Sequence, residues 1–419
     1  MYKIKTIIKK MLPSTIRMKI SSILDSRRKL NCKVNSIQFY DFFIEPGKVE
    51  FRVGKHVNRE YKQDYIYFHL SKKFSPSHNV VATALATLCG KLYEEIYMDL
   101  NIDSETLSRI SAFTGVDIKV RNVINVDRIT DRKGIALSFS GGFDSLTSYC
   151  LMPQETQLVS IDFGHWFTRE AEAFSKWETN ILTTNFRRLN YDQASWTFMG
   201  VGAILFSEFL DIKYLAFGTN WNSSVGCYKY IANSKTDLTY NPSFFSPSDM
   251  ISMQNFTYGL SNIGTAMVCA TYQPSFLNAS LNSLAAPGSI KLYRKKMLLD
   301  VVCARFGFDI EYSISDKPLE KRMRFGECFC TSALSLYFLK HLGDKVVSEL
   351  IEIPESAIEL IHTLSLDFYE KFAPVALQGI PEEFREDYIA KLKGAGVDLY
   401  NEKDWDEFRL VGNFLMQFM

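Results

Sequence analysis

Hydrophobic and polar positions change period along the chain, and each change marks an element. Between residues 34 and 70, short bursts such as Val34-Asn35-Ser36-Ile37-Gln38-Phe39-Tyr40 and Val49-Glu50-Phe51-Arg52-Val53 alternate around Gly47 and Gly54. That period of two predicts a small antiparallel sheet. From Asn79 to Tyr97 apolar residues recur at helical spacing, and Asp117 to Asp127 reads as one more strand. The Asp/Arg run at Asp127, Arg128, Asp131, Arg132 and Lys133 serves as a linker, with a boundary near residue 128.

Past that point the apolar runs become shorter and continuous. Gly134-Ile135-Ala136-Leu137 predicts a buried strand, Leu146 to Leu151 a helix, Leu158 to Ile161 a second strand and Thr168 to Phe174 a second helix. Val201 to Leu210 predicts an apolar helix and Ile212 to Phe217 another strand. Strands alternating with helices predict an α/β fold with a parallel sheet. Ser234 to Gly264 is a polar and aromatic insert, expected as a lid or substrate wall. Ser332 to Leu342 is helical in pattern. Beyond residue 345 short acidic helices are punctuated by Pro354, Pro374 and Pro381, as in a packing or partner-binding bundle.

Composition narrows the function classes. With 419 residues, 47% hydrophobic and 14% aromatic, the chain can fill two or three cores. A net charge of +1 gives no global pull toward nucleic acid. Charge is uneven at the start: nine basic residues against Asp25 give +8 over residues 1–31, leaving −7 for the rest. Ile4, Ile7, Ile8 and Met11 fall at helical spacing there, so this arm (1–33) is either a solvated extension, the preferred reading, or a contact to anionic lipid or RNA. Cys32, Cys89, Cys150, Cys227, Cys269, Cys303, Cys328 and Cys330 have no disulfide-framework spacing, and no apolar run is long enough to cross a bilayer. A reducing cytoplasm is the expected location. The histidines at 56, 69, 78, 165, 341 and 362 suit no metal-hydrolase pattern.

The candidate chemistry sits at Ser138-Phe139-Ser140-Gly141-Gly142-Phe143-Asp144-Ser145, between the first buried strand and its helix. Glycines there let backbone N–H groups converge on an anion, and the helix N-terminus adds positive potential. Ser140 and Ser145 can donate to phosphate oxygens, while a carboxylate at Asp144 points to Mg²⁺ accompanying the phosphates. The run has neither the lysine of a Walker A loop nor the spacing of a dinucleotide turn.

Ser140 to Ser145 resembles the S-G-G-x-D-S signature of the PP-loop ATP pyrophosphatases, with all five fixed letters present. Within that superfamily the chain looks nearest to 7-cyano-7-deazaguanine synthase (QueC)-like proteins. The resemblance implies a Rossmann-like (HUP) domain over about 134–315, strand order 3-2-1-4-5, between an α+β domain (34–127) and a helical C-terminal region (316–419). It also implies that a substrate oxygen attacks the α-phosphorus of ATP and that a nitrogen nucleophile then displaces AMP. On this basis Ser138, Ser140, Gly141, Gly142, Phe143, Asp144 and Ser145 hold ATP, with Asp144 reaching Mg²⁺ through the phosphates. Asp162, Phe163 and Gly164 match the second strand's end, beside His165; Gly218, Thr219 and Asn220 match the Gly-x-Asn turn. Arg294 or Lys295 falls on a phosphate-facing lysine.

Two departures stand out: no acid follows Asn220, where Trp221-Asn222-Ser223-Ser224 runs, and only Cys328 and Cys330 remain of a four-cysteine zinc cluster, with serines at Ser313 and Ser315. Zinc is therefore not expected, since a tetrahedral site needs four ligands. The expected acceptor is a carboxylate or amide of a small molecule or peptide, and a homodimer is compatible. Chains of similar length that join an N-terminal domain to a PP-loop domain include the muramoyl-peptide glutamate epimerases (MurL), with which Phe217-Gly218-Thr219-Asn220 is compatible; these adenylate a carboxyl group before inverting the adjacent carbon. The eroded positions leave nucleotide sensing or partner binding as a third reading.

Overall fold

The structure, a computed structural model, describes residues 34–125, 131–234, 251–283, 285–312 and 321–419. The basic arm, Asp127 and Arg128 of the linker, the insert's Tyr240–Ser248 and the serines Ser313 and Ser315 lie outside the described residues. The chain is mixed α/β and divides into two compact units. One holds the described residues up to 125 together with Thr184–Phe198; the other holds the rest, through to Met419.

The first unit is a five-stranded sheet in the order β3-β2-β1-β4-β5, where β1 is Ser36–Glu45, β2 Lys48–Val57, β3 Glu60–Leu70, β4 Glu95–Asp103 and β5 Lys119–Ile124. The first three strands form an antiparallel meander, as the alternation predicts; β4 joins β1 in parallel and β5 joins β4 in parallel. Val49, Phe51, Val53, Ile66 and Phe68 are fully buried on one face, with Phe51 and Phe68 rings edge to face at 5.3 Å. The helical pattern through Tyr97 overruns. The helix is His78–Cys89, and Tyr97 lies in β4, whose buried Ile96, Met98 and Leu100 carry a strand period that a helical reading absorbs. The excursion Thr184–Phe198 completes this unit. The Asn185 amide oxygen accepts from Tyr67 N–H and its nitrogen donates to the Tyr65 carbonyl; Phe186 packs edge to face on Phe68, and the Tyr191 hydroxyl donates to Asp64 at 2.9 Å.

The second unit carries a fully parallel sheet. Its strands are β6 (Gly134–Ser138), β7 (Gln157–Asp162), β8 (Asn180–Thr184), β9 (Ile212–Phe217) and β10 (Ser252–Asn255), ordered β8-β7-β6-β9-β10. Counted along this unit, that is 3-2-1-4-5, the order implied by the resemblance. Strand β10 comes out of the segment expected as a lid: the insert supplies the fifth strand, and Ser252-Met253-Gln254-Asn255 is too short and too polar to stand out. The predicted helix from Val201 ends at Phe206, before the turn that enters β9.

Both faces of this sheet are covered, and the C-terminal helices share its core. One continuous apolar cluster runs from Ile135 and Leu137 through Phe143, Trp221 and Met267 to Tyr388, Phe408 and Leu415. The Phe329–Leu342 helix is buried along Phe329 to Leu339. The helix Ile290–Phe306 starts at Ser289, whose hydroxyl caps Leu292 N–H. Among the described residues no helix is long and apolar enough to cross a membrane.

Candidate functional site

At the centre of the parallel sheet, β6 and β9 lie side by side and their outgoing loops diverge. Such a switch point leaves a crevice at the carboxyl ends of the strands. Phe139 to Gly142 lead from β6 into the Phe143–Leu151 helix, while Gly218 to Asn220 follow β9. The first loop turns at Gly141, with φ +74°, a conformation that L side chains rarely adopt; an added Cβ would also meet the Ala173 side chain at 3.0 Å. Gly142 is the N-cap and offers no side chain to the first turn. The amides of Gly141, Phe143 and Asp144 find no acceptor among the described residues. They are left as donors at the positive end of the helix.

The two serines close the loop upon itself. Their hydroxyls are 3.2 Å apart, Ser145 Oγ donates to the Gly142 carbonyl at 3.0 Å, and Ser140 N–H reaches Ser145 Oγ at 3.4 Å. Ser138 is placed differently from its loop neighbours, since its hydroxyl donates to the Met199 carbonyl at 2.6 Å. Phe143 is buried beneath the loop.

The second loop presses against the first. A Cβ on Gly218 would stand 2.4 Å from the carbonyl atoms of Asp144 and 2.6 Å from Ser145 N, so only glycine allows the contact. Asn220, fully buried, donates from Nδ2 to Asp144 Oδ1 at 3.0 Å. The Thr219 carbonyl accepts from Asn255 and Thr257, which ties the turn to the end of β10. Trp221 packs among Phe368, Tyr369 and Phe408, so the C-terminal helices buttress the turn that carries Asn220.

A cation completes the constellation. Lys295 is only 5% exposed; its Nζ donates to Asn262 Oδ1 at 2.7 Å and lies 5.1 Å from the centre of the Phe143 ring. No carboxylate pairs with it among the described residues. Arg294, one residue earlier and about 100° around the helix, turns instead to Thr331 Oγ1 at 2.6 Å, and its Nε is buried without a partner. Lys291 lies one turn before both. Desolvation holds its ammonium below the ordinary lysine value, Lys295 and Arg294 push it the same way, and Glu170 and Asp144 pull back.

Asp162 Oδ1 accepts from Gly164 N–H at 2.8 Å and fixes the turn after β7; Phe163 is buried against Phe167, and His165 is exposed. These residues stand on the same sheet edge as the loop. Burial alone would raise the Cys328 thiol, but the hydroxyl and amide of Thr331, the Arg294 charge and the Cys330 amide outweigh it and hold the thiol below its ordinary value. Among the described residues no group of three or more His, Cys, Asp or Glu is arranged to hold a metal ion.

Asn262 and Asn222 escape sequence reasoning. Asn262 opens the helix Asn262–Tyr272, and both side chains are buried next to Asn220. The one available signal was Asn222 itself, which stands near the position where the resemblance leads one to expect an acid.

Comparison with known proteins returns nothing: no family model matches the chain, and no curated protein or solved structure matches it.

Proposed function

We propose that the second unit binds the polyphosphate of ATP and catalyses adenylation of a carboxylate or amide oxygen, as a PP-loop ATP pyrophosphatase of the QueC-like kind. The single observation that supports this most is Lys295. Burying an ammonium costs several kcal/mol unless charge or hydrogen bonds compensate, and here one amide oxygen and one aromatic face do so. The missing counter-charge fits an anionic ligand. Three cations on one helix, free amides at a glycine turn and two serine hydroxyls suit a chain of phosphates rather than a single carboxylate.

In this reading the amides of Gly141, Phe143 and Asp144 and the hydroxyls of Ser140 and Ser145 grip the β- and γ-phosphates. Lys295 neutralises the charge that develops on pyrophosphate as it leaves the α-phosphorus. Arg294 and Lys291 hold the rim. The Asp144 carboxylate keeps Oδ2 clear of protein partners among the described residues, which fits a Mg²⁺ that accompanies the phosphates and withdraws charge from them. The work is positioning and charge stabilisation, with no covalent intermediate on the protein.

Calorimetry with Mg-ATP and with pyrophosphate tests the reading directly. Both are expected to bind wild-type protein and compete. Asp144→Ala is expected to lose the Mg²⁺ dependence and pyrophosphate release and to remain folded, with a melting temperature lowered only by the few degrees that an unpaired Asn220 Nδ2 costs. Wild-type protein that takes up neither ligand would falsify the proposal.

A further inference from the structure

The ammonium of Lys295 and the carboxylate of Asp144 are joined through two amides rather than paired. Lys295 Nζ donates to Asn262 Oδ1 at 2.7 Å; Asn262 Nδ2 donates to Asn220 Oδ1 at 3.1 Å; Asn220 Nδ2 donates to Asp144 Oδ1 at 3.0 Å. The orientation of both amides is forced. A lysine can only donate and an ionised carboxylate can only accept, so each asparagine must turn its oxygen toward the cation and its nitrogen toward the anion. Asn262 is 3% exposed and Asn220 is fully buried. In such surroundings aligned amide dipoles carry charge stabilisation effectively.

Asn262 is the pinned member of this chain. Its backbone N–H and its Nδ2 both donate to Asn222 Oδ1, at 2.9 and 3.0 Å. Ser261 caps the helix that begins with it, accepting from Ile263 and Gly264 N–H. The side chain is thus held by its neighbours before any ligand arrives. A carboxylate here would pair with Lys295 and cancel it; an amide orients the lysine and leaves its charge for something else.

We infer that Asn262 is a positioning residue that holds the Lys295 and Asp144 side chains apart instead of letting them pair, so that the pocket takes a ligand bearing both signs, a polyphosphate with its divalent cation. This rests on the adenylation reading. The relay serves the anion at the Lys295 end and the cation at the Asp144 end.

The test compares wild type, Asn262→Asp, Asn262→Leu, Lys295→Met and the Asn262→Leu/Lys295→Met double variant by calorimetry with pyrophosphate, Mg-ATP and adenosine, alongside melting temperatures. Asn262→Asp is nearly isosteric. It is expected to weaken pyrophosphate and Mg-ATP by on the order of ten- to a hundredfold, the range for a lost charged hydrogen bond, with adenosine unmoved. Asn262→Leu removes the amide without adding a charge: once Lys295 is methionine, the Asn262→Leu step is expected to cost no further affinity, because the two act as one unit. Additive losses, or an equal loss for adenosine together with a lowered melting temperature, would mean an ordinary structural role and overturn the inference. If Asn262→Asp does not fold, Asn262→Ser is put through the same cycle, with a smaller loss in the same direction expected. Wild-type protein that binds pyrophosphate and Mg-ATP while Asn262→Asp binds them equally well overturns the relay alone. Wild-type protein that binds neither overturns the adenylation reading, and the relay with it.

Discussion

Gly218→Ala adds one methyl group where two backbones meet. Its Cβ would sit 2.4 Å from Asp144 C and O and 2.6 Å from Ser145 N. Comfortable carbon contacts begin near 3.5 Å, so the gap must open by about 1 Å. No side chain can swing aside, because every offending atom is backbone. Strand β9 is paired on both sides, by β6 and β10, so the first turn of the Phe143–Leu151 helix is the part that yields. Overpacking of this kind costs about 1–3 kcal/mol. At roughly 2–4 °C per kcal/mol for a unit of this size, the melting temperature falls by several degrees. The larger effect is local. Moving that turn breaks the Asn220–Asp144 bond and shifts both serines, and misplacement by about 1 Å costs on the order of a hundredfold in rate. Pyrophosphate release measured beside a thermal melt reads both effects. Gly226→Ala is the control: it lies in the helix Val225–Ser234, its Cβ meets nothing nearer than Ser224 Oγ at 3.7 Å, and it is expected to stabilise by about 0.5–1 kcal/mol. A Gly218→Ala protein that melts lower but releases pyrophosphate at the wild-type rate would refute the idea that the closeness of these loops serves chemistry.

Three further outcomes are expected. Lys295→Met removes a buried charge but leaves Asn262 Oδ1 unpaired, so the ligand-free melt should move by no more than about 2 kcal/mol either way while pyrophosphate affinity drops; a large loss of stability with affinity intact would make Lys295 structural. Iodoacetamide near pH 7.5 should label Cys328 well before Cys150, whose thiol burial pushes up to about 12, and Arg294→Met should slow Cys328 labelling; equal labelling of the two contradicts the thiolate environment. Burial, with help from Arg305 and Lys340, holds His341 down at about 4, and its Nε2 has no partner. The unfolded chain therefore takes up this proton near pH 6.5 and the folded chain only near 4, so stability present above pH 6.5 is lost as the pH falls between those values. Partial solvent exposure limits the effect to on the order of 1–2 kcal/mol. His341→Phe should flatten that limb of a urea-melt series, and an unchanged slope would remove His341 as its cause.

Much of the fold can be read from the chain alone, for identifiable reasons. The meander β1–β3 declares itself because Val49, Phe51, Val53, Ile66 and Phe68, all fully buried, alternate with more exposed neighbours. Strands β6, β7 and β9 are visible as short apolar runs because a parallel sheet buries both faces. Strand β10 is not: four residues with two amide- or hydroxyl-bearing ends carry no period. The Asn79–Tyr97 pattern fails because a helix and a buried strand follow each other with no polar break long enough to separate them. At the site, the glycine turn is legible because its conformation demands particular residues. Arg294 and Lys295 could not be separated, since one residue of alignment decides between them, yet one step around the helix sends one to Thr331 and the other to Asn262. Buried asparagines such as Asn262 leave no trace in spacing, because an amide's role is set by whichever donor and acceptor it happens to face.

The excursion Thr184–Phe198 has a practical consequence for anyone dividing this protein. A single cut near residue 128 does not yield two self-sufficient halves: the downstream piece would carry away Asn185, Phe186 and Tyr191, whose companions Tyr65, Phe68 and Asp64 stay behind. A ribosome likewise has to deliver the chain through Phe198 before the first unit can be finished. The two bodies are braided in order of synthesis, and a truncation series that respects only the linear map should produce insoluble fragments on one side of every cut between 128 and 184.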